Sequence, residues 1–287
     1  MEWRCRDRVF DLGERTLVMG VVNVTPDSFS DGGRFFEPTA AIEHGHRLLA
    51  EGADLLDVGG ESTRPGSQPV PPAEQWRRIG PVVTTLASDA CLSVDTACAW
   101  VAERALEAGA RIVNDVTACG EPAMAPVVAR TGAGVILMHM RGTPADMQRN
   151  PRYDDAAREV TAWLAGRIET TRGAGVALAQ IAVDPGIGFG KSLEHNLALL
   201  ARLSTLAALG RPVAVGVSRK SFLAKLLDLT VDQRLEAGLS ATAIAVIEGA
   251  AIVRTHEVAA TVRAVRVAEA VRAARGSGSP VGTGNTG

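Results

Sequence analysis

Short apolar runs alternate with polar segments along this chain, and each apolar run ends on residues that can carry chemistry. The first runs from Leu17 to Val22 and opens into a polar segment at Asn23. Continuous apolar runs of this length are typical of strands that are buried on both faces. Further runs of the same kind follow, so the pattern predicts about eight strands. These further runs cover residues 55–60, 91–94, 111–113, 135–138, 181–183, 213–217 and 251–253.

Helical periodicity fills intervals between these runs, over residues 40–51, 97–108, 155–173 and 235–248. Strands that alternate with helices indicate a parallel sheet. About eight such units in about 250 residues match the size of a (β/α)8 TIM barrel, which is the predicted fold. A doubly wound open sheet is the alternative. It binds its ligand at one switch point and does not need polar groups at every strand end.

The composition fits one large domain. The chain has 287 residues, of which 46% are hydrophobic, and its formal net charge is -2. This predicts a single catalytic domain over residues 1–275 and a disordered tail, rich in Gly, Ser, Pro and Thr, over residues 276–287. A nearly neutral charge does not favour nucleic acid or an anionic membrane as a partner.

Targeting signals and cysteine spacing predict a cytoplasmic protein. No apolar run approaches the roughly 18 residues that a membrane-spanning helix needs. Residues 1–6 lack the apolar core of a signal peptide. The cysteines show no CxxC spacing, so we expect them to be reduced and structural. They are Cys5, Cys91, Cys98 and Cys119.

Three strand ends carry short polar side chains, namely Asp95, Asn114 and Asp184. Because the carboxyl ends of all strands meet at one face of a barrel, these side chains should converge there. Two carboxylates and an amide with little water around them need hydrogen-bond donors, such as the edge of a cyclic guanidine or an aminopyrimidine. The alternative is that each residue caps the helix that follows it. The three together, with the cations that follow, favour ligand binding.

Lys220, Arg254 and His256 follow the last two predicted strands. Barrels of this class often build a phosphate site there. Three potential cations at one location repel one another unless an anion lies between them. Surface ion pairs with Glu257 or Asp228 are the alternative. The pattern therefore predicts a polar heterocycle near the middle strands and a phosphate near the last two.

The glycine-rich segment 186–192 resembles two nucleotide-binding motifs and fits neither. A P-loop would need glycine at Pro185, and a dinucleotide fingerprint would need glycine at Lys191. We interpret these glycines as room for the backbone to approach a flat ligand, with Phe189 as an apolar contact. Met138, at the end of the fifth strand, either lines the same ring pocket or packs in the core.

Eight motifs, in order from Leu17 to Val258, resemble those of the dihydropteroate synthases. They are NVTPDSFSDGG at 23–33, ESTRPG at 61–66, SVDT at 93–96, NDV at 114–116, MHMRG at 138–142, DPGIGFGK at 184–191, SRKSFL at 218–223 and RTHEV at 254–258. This family is a (β/α)8 barrel that joins 6-hydroxymethyl-7,8-dihydropterin pyrophosphate to 4-aminobenzoate, releasing pyrophosphate, in folate synthesis. The resemblance implies the same fold and activity, a homodimer, and a target of sulfonamides.

The resemblance also implies roles for the residues that bind the pterin. Asp95, Asn114 and Asp184 would hold the pterin edge, and Lys220 would hold its carbonyl side. Met138 would line the same pocket. These roles agree with the interpretation of the strand ends as a site for a polar heterocycle.

The remaining roles concern the leaving group and the second substrate. Arg254 and His256 would hold the pyrophosphate, with Mg2+ as cofactor ligated by Asn23. The loops that contain Asp31 and residues 63–65 would close over the site. The residues that would surround the aminobenzoate are Thr63, Pro65, Phe189 and Ser221. Arg64, in the closing loop, would also bind substrate. The implied catalytic residues are Asp31, Lys220 and Arg254.

Some positions depart from the family pattern, and two other functions remain open. Thr255 and Glu257 stand where the family usually has an aliphatic residue and Asp, and Ala224 replaces a common glycine. A pterin-binding corrinoid methyltransferase shares the barrel but does not need pyrophosphate groups, so the SRK and RTH motifs argue against it. A non-catalytic pterin-binding paralogue would not need the catalytic side chains, all of which are present.

Overall fold

The computed structural model describes residues 1–13, 15–25, 38–64 and 66–276. An antiparallel hairpin begins the chain, and parallel strands alternating with helices follow it, as the apolar runs predict. The hairpin strands are β1 (Glu2–Cys5) and β2 (Arg8–Asp11). The parallel strands are β3 (Leu17–Asn23), β4 (Leu55–Gly59), β5 (Leu92–Asp95), β6 (Ile112–Asp115), β7 (Gly134–Met138), β8 (Ile181–Asp184), β9 (Ala214–Gly216) and β10 (Ile252–Thr255). The helices are α1 (Pro38–Ala50), α2 (Pro72–Leu86), α3 (Ala99–Glu107), α4 (Met124–Thr131), α5 (Ala156–Gly173), α6 (Leu193–Ala201), α7 (Ser221–Leu227), α8 (Leu235–Ile247) and α9 (Val258–Gly276).

The parallel sheet closes on itself. Its strands are hydrogen-bonded in the order β8-β7-β6-β5-β4-β3-β10-β9. A parallel bridge between Val183 and Val213 joins the two edge strands. Closure leaves no unpaired edge and directs all strand carboxyl ends to one face. The predicted (β/α)8 barrel is therefore confirmed.

Side chains of each strand alternate between two cores, as the strand period of two requires. One core lies inside the barrel and includes Leu55, Ile112 and Ile136. The other lies between the sheet and the helices, and it includes Leu56 and Val113. Burial on both faces explains why the strands are continuous apolar runs in the sequence.

The hairpin formed by β1 and β2 closes the amino-terminal end of the barrel, and the sequence analysis did not predict it. Trp3 and Cys5 are fully buried in the inner core. The indole nitrogen of Trp3 donates a hydrogen bond to the carbonyl oxygen of Gln180 over 2.9 Å. Gly134 has no side chain where the thiol of Cys5 packs, and a Cβ there would overlap it. Two strands of four residues are too short to give a clear periodic signal.

The predictions about the cysteines, membrane helices and the carboxyl-terminal tail are tested only in part. All four cysteines are free thiols. Within the described ranges, no helix is both long and apolar enough to cross a bilayer. Helix α9 ends at Gly276, and residues 277–287 of the predicted tail lie outside the described residues. The domain boundary at residue 275 stays a prediction.

Candidate active site

Strand periodicity places the predicted site residues on the inner face of the barrel. Ile112, Ile136 and Ala182 belong to the inner core. Two residues further along each strand stand Asn114, Met138 and Asp184. Residues i and i+2 of a strand share a face, so these side chains continue the inner face at the carboxyl end. Arg254 follows Ile252 of the inner core in the same way.

The register of the strands then brings these residues side by side. Asp95 lies opposite Asn114, Met138 lies opposite Asp184, and Arg254 lies opposite Gly216. They surround a cavity with about 350 Å³ of empty space, which includes its opening to solvent. The residues that line it are Thr63, Asp95, Asn114, Val116, Met138, Asp184, Gly186, Ile187, Phe189, Gly216, Lys220 and Arg254.

A buried ion-pair network lies at the base of this cavity, and its central residue was missed by the sequence analysis. Arg254 Nε donates to Asp57 Oδ2 over 2.6 Å, and Arg254 Nη2 donates to Asp95 Oδ2 over 2.8 Å. Asp57 is fully buried and also accepts from Asn114 Nδ2 over 3.0 Å. A lone carboxylate in the otherwise apolar strand 55–59 was the signal available in the sequence, because buried charges need partners.

The three potential cations, Lys220, Arg254 and His256, have different surroundings, and the phosphate site predicted from them stays a prediction. Arg254 is already balanced by two carboxylates. Burial lowers the pKa of His256 to about 3, and the charge of Arg254 is the second largest cause of this shift. The imidazole of His256 is therefore neutral at neutral pH. Its Nδ1 lies 2.8 Å from Ser218 Oγ, which in turn donates to a carboxylate oxygen of Glu257 over 2.8 Å. The structure therefore reduces the repulsion without an anion.

Lys220 is the cation that remains without an ion pair among the described side chains of the cavity. Its ammonium nitrogen lies 3.9 Å from the centre of the Phe189 ring, a cation–π distance. Burial lowers the pKa of Lys220 to about 8, and the charge of Arg254 is the second largest cause of this shift. The ammonium form still predominates at neutral pH, so Lys220 can donate to a carbonyl or phosphate oxygen.

The two carboxylates of the predicted pterin edge are hard to ionise in the free site. Burial raises the pKa of Asp95 to about 7, although Arg254 opposes the shift. Burial also raises the pKa of Asp184, and the N–H of Gly186, which donates to Asp184 Oδ1 over 2.6 Å, opposes it. A ligand that presents N–H donors to these oxygens stabilises their ionised forms.

The glycines of the segment 186–192 allow close packing between two loops, and their predicted approach to a ligand stays a prediction. Gly186 and Gly190 have φ angles of +66° and +61°. A Cβ at Gly186 would overlap the carbonyl oxygen of His139, and one at Gly190 would lie 2.5 Å from that of Arg141. They allow this loop to pack against the segment that follows β7, and Gly186 also lines the cavity. Phe189, by contrast, does line the cavity as predicted.

Other predicted residues do not line the cavity or lie outside the described residues. Arg64 and Ser221 are exposed, and Ser221 begins α7. Asp31 and Pro65 lie outside the described residues. The positions that are described but not in the cavity wall are Asn23, Arg64, Ser221 and His256. Their roles stay predictions.

Asn23 ends β3 and is the predicted ligand of Mg2+. No group of three or more His, Cys, Asp or Glu side chains within the described ranges could hold a metal ion. Mg2+ commonly keeps several waters and binds through few protein oxygens together with substrate phosphates. A single amide oxygen at the carboxyl end of β3 fits that mode of binding and does not fit a metal held by protein alone.

Comparison with known proteins identifies the family. The family described as pterin binding enzymes matches residues 19–256. A dihydropteroate synthase of Escherichia coli strain K12 is 43% identical over 243 residues, which are 84% of this chain and 86% of that protein. The chain belongs to the dihydropteroate synthase family. Another dihydropteroate synthase, from Mycobacterium leprae, is 46% identical over 250 residues, which are 84% of this chain and 88% of that protein.

Solved structures of dihydropteroate synthases share the fold. The Xanthomonas albilineans enzyme with 4-aminobenzoic acid is 45% identical, with a TM-score of 0.88, over 95% of this chain and 99% of that one. The Yersinia pestis enzyme in a sulfonamide drug complex is 44% identical, with a TM-score of 0.90, over 96% of this chain and 100% of that one. The predicted family, fold and activity are confirmed, and the methyltransferase alternative is not supported.

Proposed function

We propose that the protein condenses 6-hydroxymethyl-7,8-dihydropterin pyrophosphate with 4-aminobenzoate to form 7,8-dihydropteroate and pyrophosphate, as a transferase of folate biosynthesis. One observation carries the proposal: three predicted acceptors for the pterin, Asp95, Asn114 and Asp184, line one cavity together with Lys220 and Arg254. A similar Xanthomonas albilineans structure is described in complex with 7,8-dihydropteroate, the product of this reaction. We also propose that the protein is cytoplasmic.

The pterin is held by complementary hydrogen bonding. Ionised Asp95 and Asp184 are pure acceptors and suit the amino and ring N–H donors of the pterin. Asn114 donates its Nδ2 to Asp57, so its Oδ1 is free to accept from the ligand. Lys220 donates to the carbonyl side of the ring. Three cations, Lys220, Lys191 and Arg254, act on Asp184, so the acceptor oxygens of this edge, and not an excess of negative charge, favour a donor-rich ligand.

The pyrophosphate leaves as the bond between its oxygen and the exocyclic carbon of the pterin breaks. The carboxylates around the ring stabilise the positive charge that develops at this carbon. Asn23 would hold Mg2+ together with the substrate's phosphate oxygens, and the bound ion supplies neutralisation of the leaving group. Arg254 and His256 would assist on the same side, and the loop with Asp31 would help to exclude water.

The neutral amine of 4-aminobenzoate then forms the new carbon–nitrogen bond with its lone pair. The proton lost from its nitrogen passes to solvent or to the released pyrophosphate, so no strong base is required. Phe189 and Thr63 line the cavity beside the pterin ligands. They would form the wall for the aromatic ring, and the family resemblance adds Arg64, Pro65 and Ser221 to its predicted surroundings.

The proposal is tested by pyrophosphate release from the pterin pyrophosphate with and without 4-aminobenzoate. Rapid release that needs the aminobenzoate, with 7,8-dihydropteroate as product, is expected. A protein that binds the pterin but releases no pyrophosphate would be a binding paralogue. Asp184→Asn presents donors to the donors of the ligand and should weaken pterin binding by about tenfold or more.

We further propose a homodimer that uses the outer surface of α8 and α9. Ile244, Val267 and Val271 on these helices are 49%, 65% and 41% exposed. Sedimentation analysis should give twice the mass of one chain. Val267→Glu should shift the protein toward a monomer, whereas Val9→Glu, at a valine that is 54% exposed on the hairpin, should not. Monomeric wild-type protein would reject the proposal.

A further inference from the structure

One of the three lysines of this chain is buried behind the active site. The side chain of Lys191 is 2% exposed. Its Nζ lies 2.9 Å from His139 Nδ1, 2.8 Å from the carbonyl oxygen of Phe189 and 3.4 Å from the carbonyl oxygen of His139. An ammonium has three N–H donors, so these three acceptors match it without a surplus. Burying a cation is unfavourable, and burial lowers the pKa of Lys191 to about 7, while the charge of Asp184 and these acceptors favour the ammonium form.

His139 takes part as an acceptor and not as a second cation. Burial lowers the pKa of His139 to about 3, and the charge of Lys191 is the second largest cause of this shift. The ring of His139 is therefore neutral. A hydrogen bond from Lys191 to Nδ1 leaves the ring proton on Nε2. The edge of the imidazole packs against Trp163 in a T-shaped contact with 4.9 Å between ring centres. The position of Nδ1, and with it the position of Nζ, is therefore set by packing.

Lys191 acts on a loop whose main chain is held by side chains. Three successive carbonyl oxygens of this loop each accept a side-chain donor. The pairs are Gln148 to Gly188 over 2.8 Å, Lys191 to Phe189 over 2.8 Å, and Tyr153 to Gly190 over 3.0 Å. Among these three donors, only the central one belongs to a buried side chain, and the central carbonyl belongs to the residue whose ring lines the cavity.

We propose that Lys191 is a positioning residue, which fixes the main chain at Phe189 and thereby sets the aromatic surface against which the ammonium of Lys220 lies. Lys220 is 3.9 Å from the centre of that ring and lines the cavity with the pterin ligands. Lys191 does not line the cavity and touches no substrate in this scheme. The inference rests on the proposed function, because it concerns how the same site receives the pterin.

Direct binding of 6-hydroxymethyl-7,8-dihydropterin, which carries no phosphate, is the first test. Lys191→Met keeps the length of the side chain and removes all three donors, and it should weaken calorimetric affinity at least tenfold. Lys225→Met removes an exposed lysine of α7 and should change affinity less than twofold. Tyr153→Phe removes the hydrogen bond to the neighbouring carbonyl oxygen, that of Gly190, and should weaken pterin affinity less than threefold. An equal loss in Tyr153→Phe would mean general loosening of the loop and would overturn the inference.

A double-mutant cycle distinguishes positioning from a general structural effect. Phe189→Leu removes the ring through which Lys191 is proposed to act. In that background, Lys191→Met should weaken pterin binding by less than threefold. If the loss stays tenfold in both backgrounds, Lys191 acts independently of Phe189 and the inference is wrong. Thermal unfolding of each variant verifies that the comparison is made between folded proteins.

A second variant keeps the test valid if Lys191→Met does not fold. Lys191→Gln retains a neutral donor of similar length that can reach the carbonyl of Phe189, and it should lose affinity by about threefold, again only when Phe189 is present. Wild-type protein that fails to bind the pterin would overturn the proposed function and this inference with it. Tight binding by wild type and by both Lys191 variants would overturn this inference alone.

Discussion

Asn114 donates its amide nitrogen to the fully buried carboxylate of Asp57 over 3.0 Å. The oxygen that accepts this bond, Oδ2, also accepts from Arg254 Nε over 2.6 Å. One buried carboxylate therefore orients both Asn114, a neutral acceptor of the site, and Arg254, a cation that lines the same cavity. Because the amide nitrogen of Asn114 is occupied, its oxygen remains for a ligand that brings donors.

Asp57→Asn should destabilise the protein and impair the site. The substitution removes the buried negative charge that balances Arg254, and the neutral amide oxygen that replaces Oδ2 is a weaker acceptor for the two donors that share it. Loss of one partner of a buried ion pair costs roughly 3 to 5 kcal/mol. Urea unfolding should show a loss on this scale, and pterin affinity should fall by more than about tenfold. Asp89→Asn, at a carboxylate that is 51% exposed, should cost less than about 0.5 kcal/mol. Equal stability of both variants would contradict the assigned role.

Arg254→Ala should weaken the binding of both the pterin and pyrophosphate. Arg254 holds Asp57 and Asp95 in place, so its removal disturbs the pterin edge as well as the predicted anion site. We expect a loss of roughly 2 to 4 kcal/mol for the pterin, measured by calorimetry. Arg219→Ala, which removes an exposed ion pair with Glu257, is the control. A loss confined to pyrophosphate would show that Arg254 serves the anion alone.

Pterin binding should become tighter as the pH rises from 6 to 8. Burial raises the pKa of Asp95 to about 7, so the free site binds a proton below this pH. N–H donors of the ligand favour the ionised carboxylate and lower its pKa, and binding therefore releases a proton. Affinity should increase through pH 7 and fall again above about pH 8, where Lys220 loses the proton that it donates to the ligand. Calorimetry in buffers of different ionisation enthalpy measures the released proton, and the release near pH 7 should be smaller in Asp95→Asn, where Asp184 is the remaining pterin-edge carboxylate with a raised pKa.

Gly186→Ala should cost much more stability than Gly132→Ala. Both glycines have positive φ angles, +66° and +70°. A Cβ at Gly186 would overlap the carbonyl oxygen of His139, whereas one at Gly132 would meet nothing within 4 Å. The backbone strain alone costs about 1 kcal/mol at either position, and the overlap adds roughly 1 to 3 kcal/mol at Gly186. Denaturant unfolding compares the two, and similar midpoints would refute the close packing of the two loops.

A sulfonamide should bind more tightly when Mg2+ and pyrophosphate are present. The wall for the aminobenzoate, formed by Thr63 and Phe189, is shared with the pterin ligands, so the first ligand completes the pocket of the second. We expect a coupling free energy of about 1 to 3 kcal/mol. Titration calorimetry with and without pyrophosphate measures it. The same sulfonamide affinity in both states would mean that the pocket is preformed.

The sequence by itself determined the barrel and the residues that meet at its carboxyl face. Apolar runs such as 17–22 and 135–138 are strands because only strands buried on both faces are apolar throughout. A parallel arrangement sends every strand end to the same face, so Asp95, Asn114 and Asp184 were bound to converge. These conclusions depend on local patterns, which a linear sequence contains in full.

Tertiary structure alone decided the charge states and the supporting contacts. Asp57, Asp95 and Arg254 are far apart in the chain, and their pairing depends on the register of neighbouring strands. The neutral ring of His256 and the buried cage of Lys191 follow from burial and from charges on other elements. Desolvation and Coulomb energies depend on distances in space, which spacing along the chain does not encode. The end of a strand predicts where a polar side chain lies, but the neighbours of that side chain in space decide whether it is protonated.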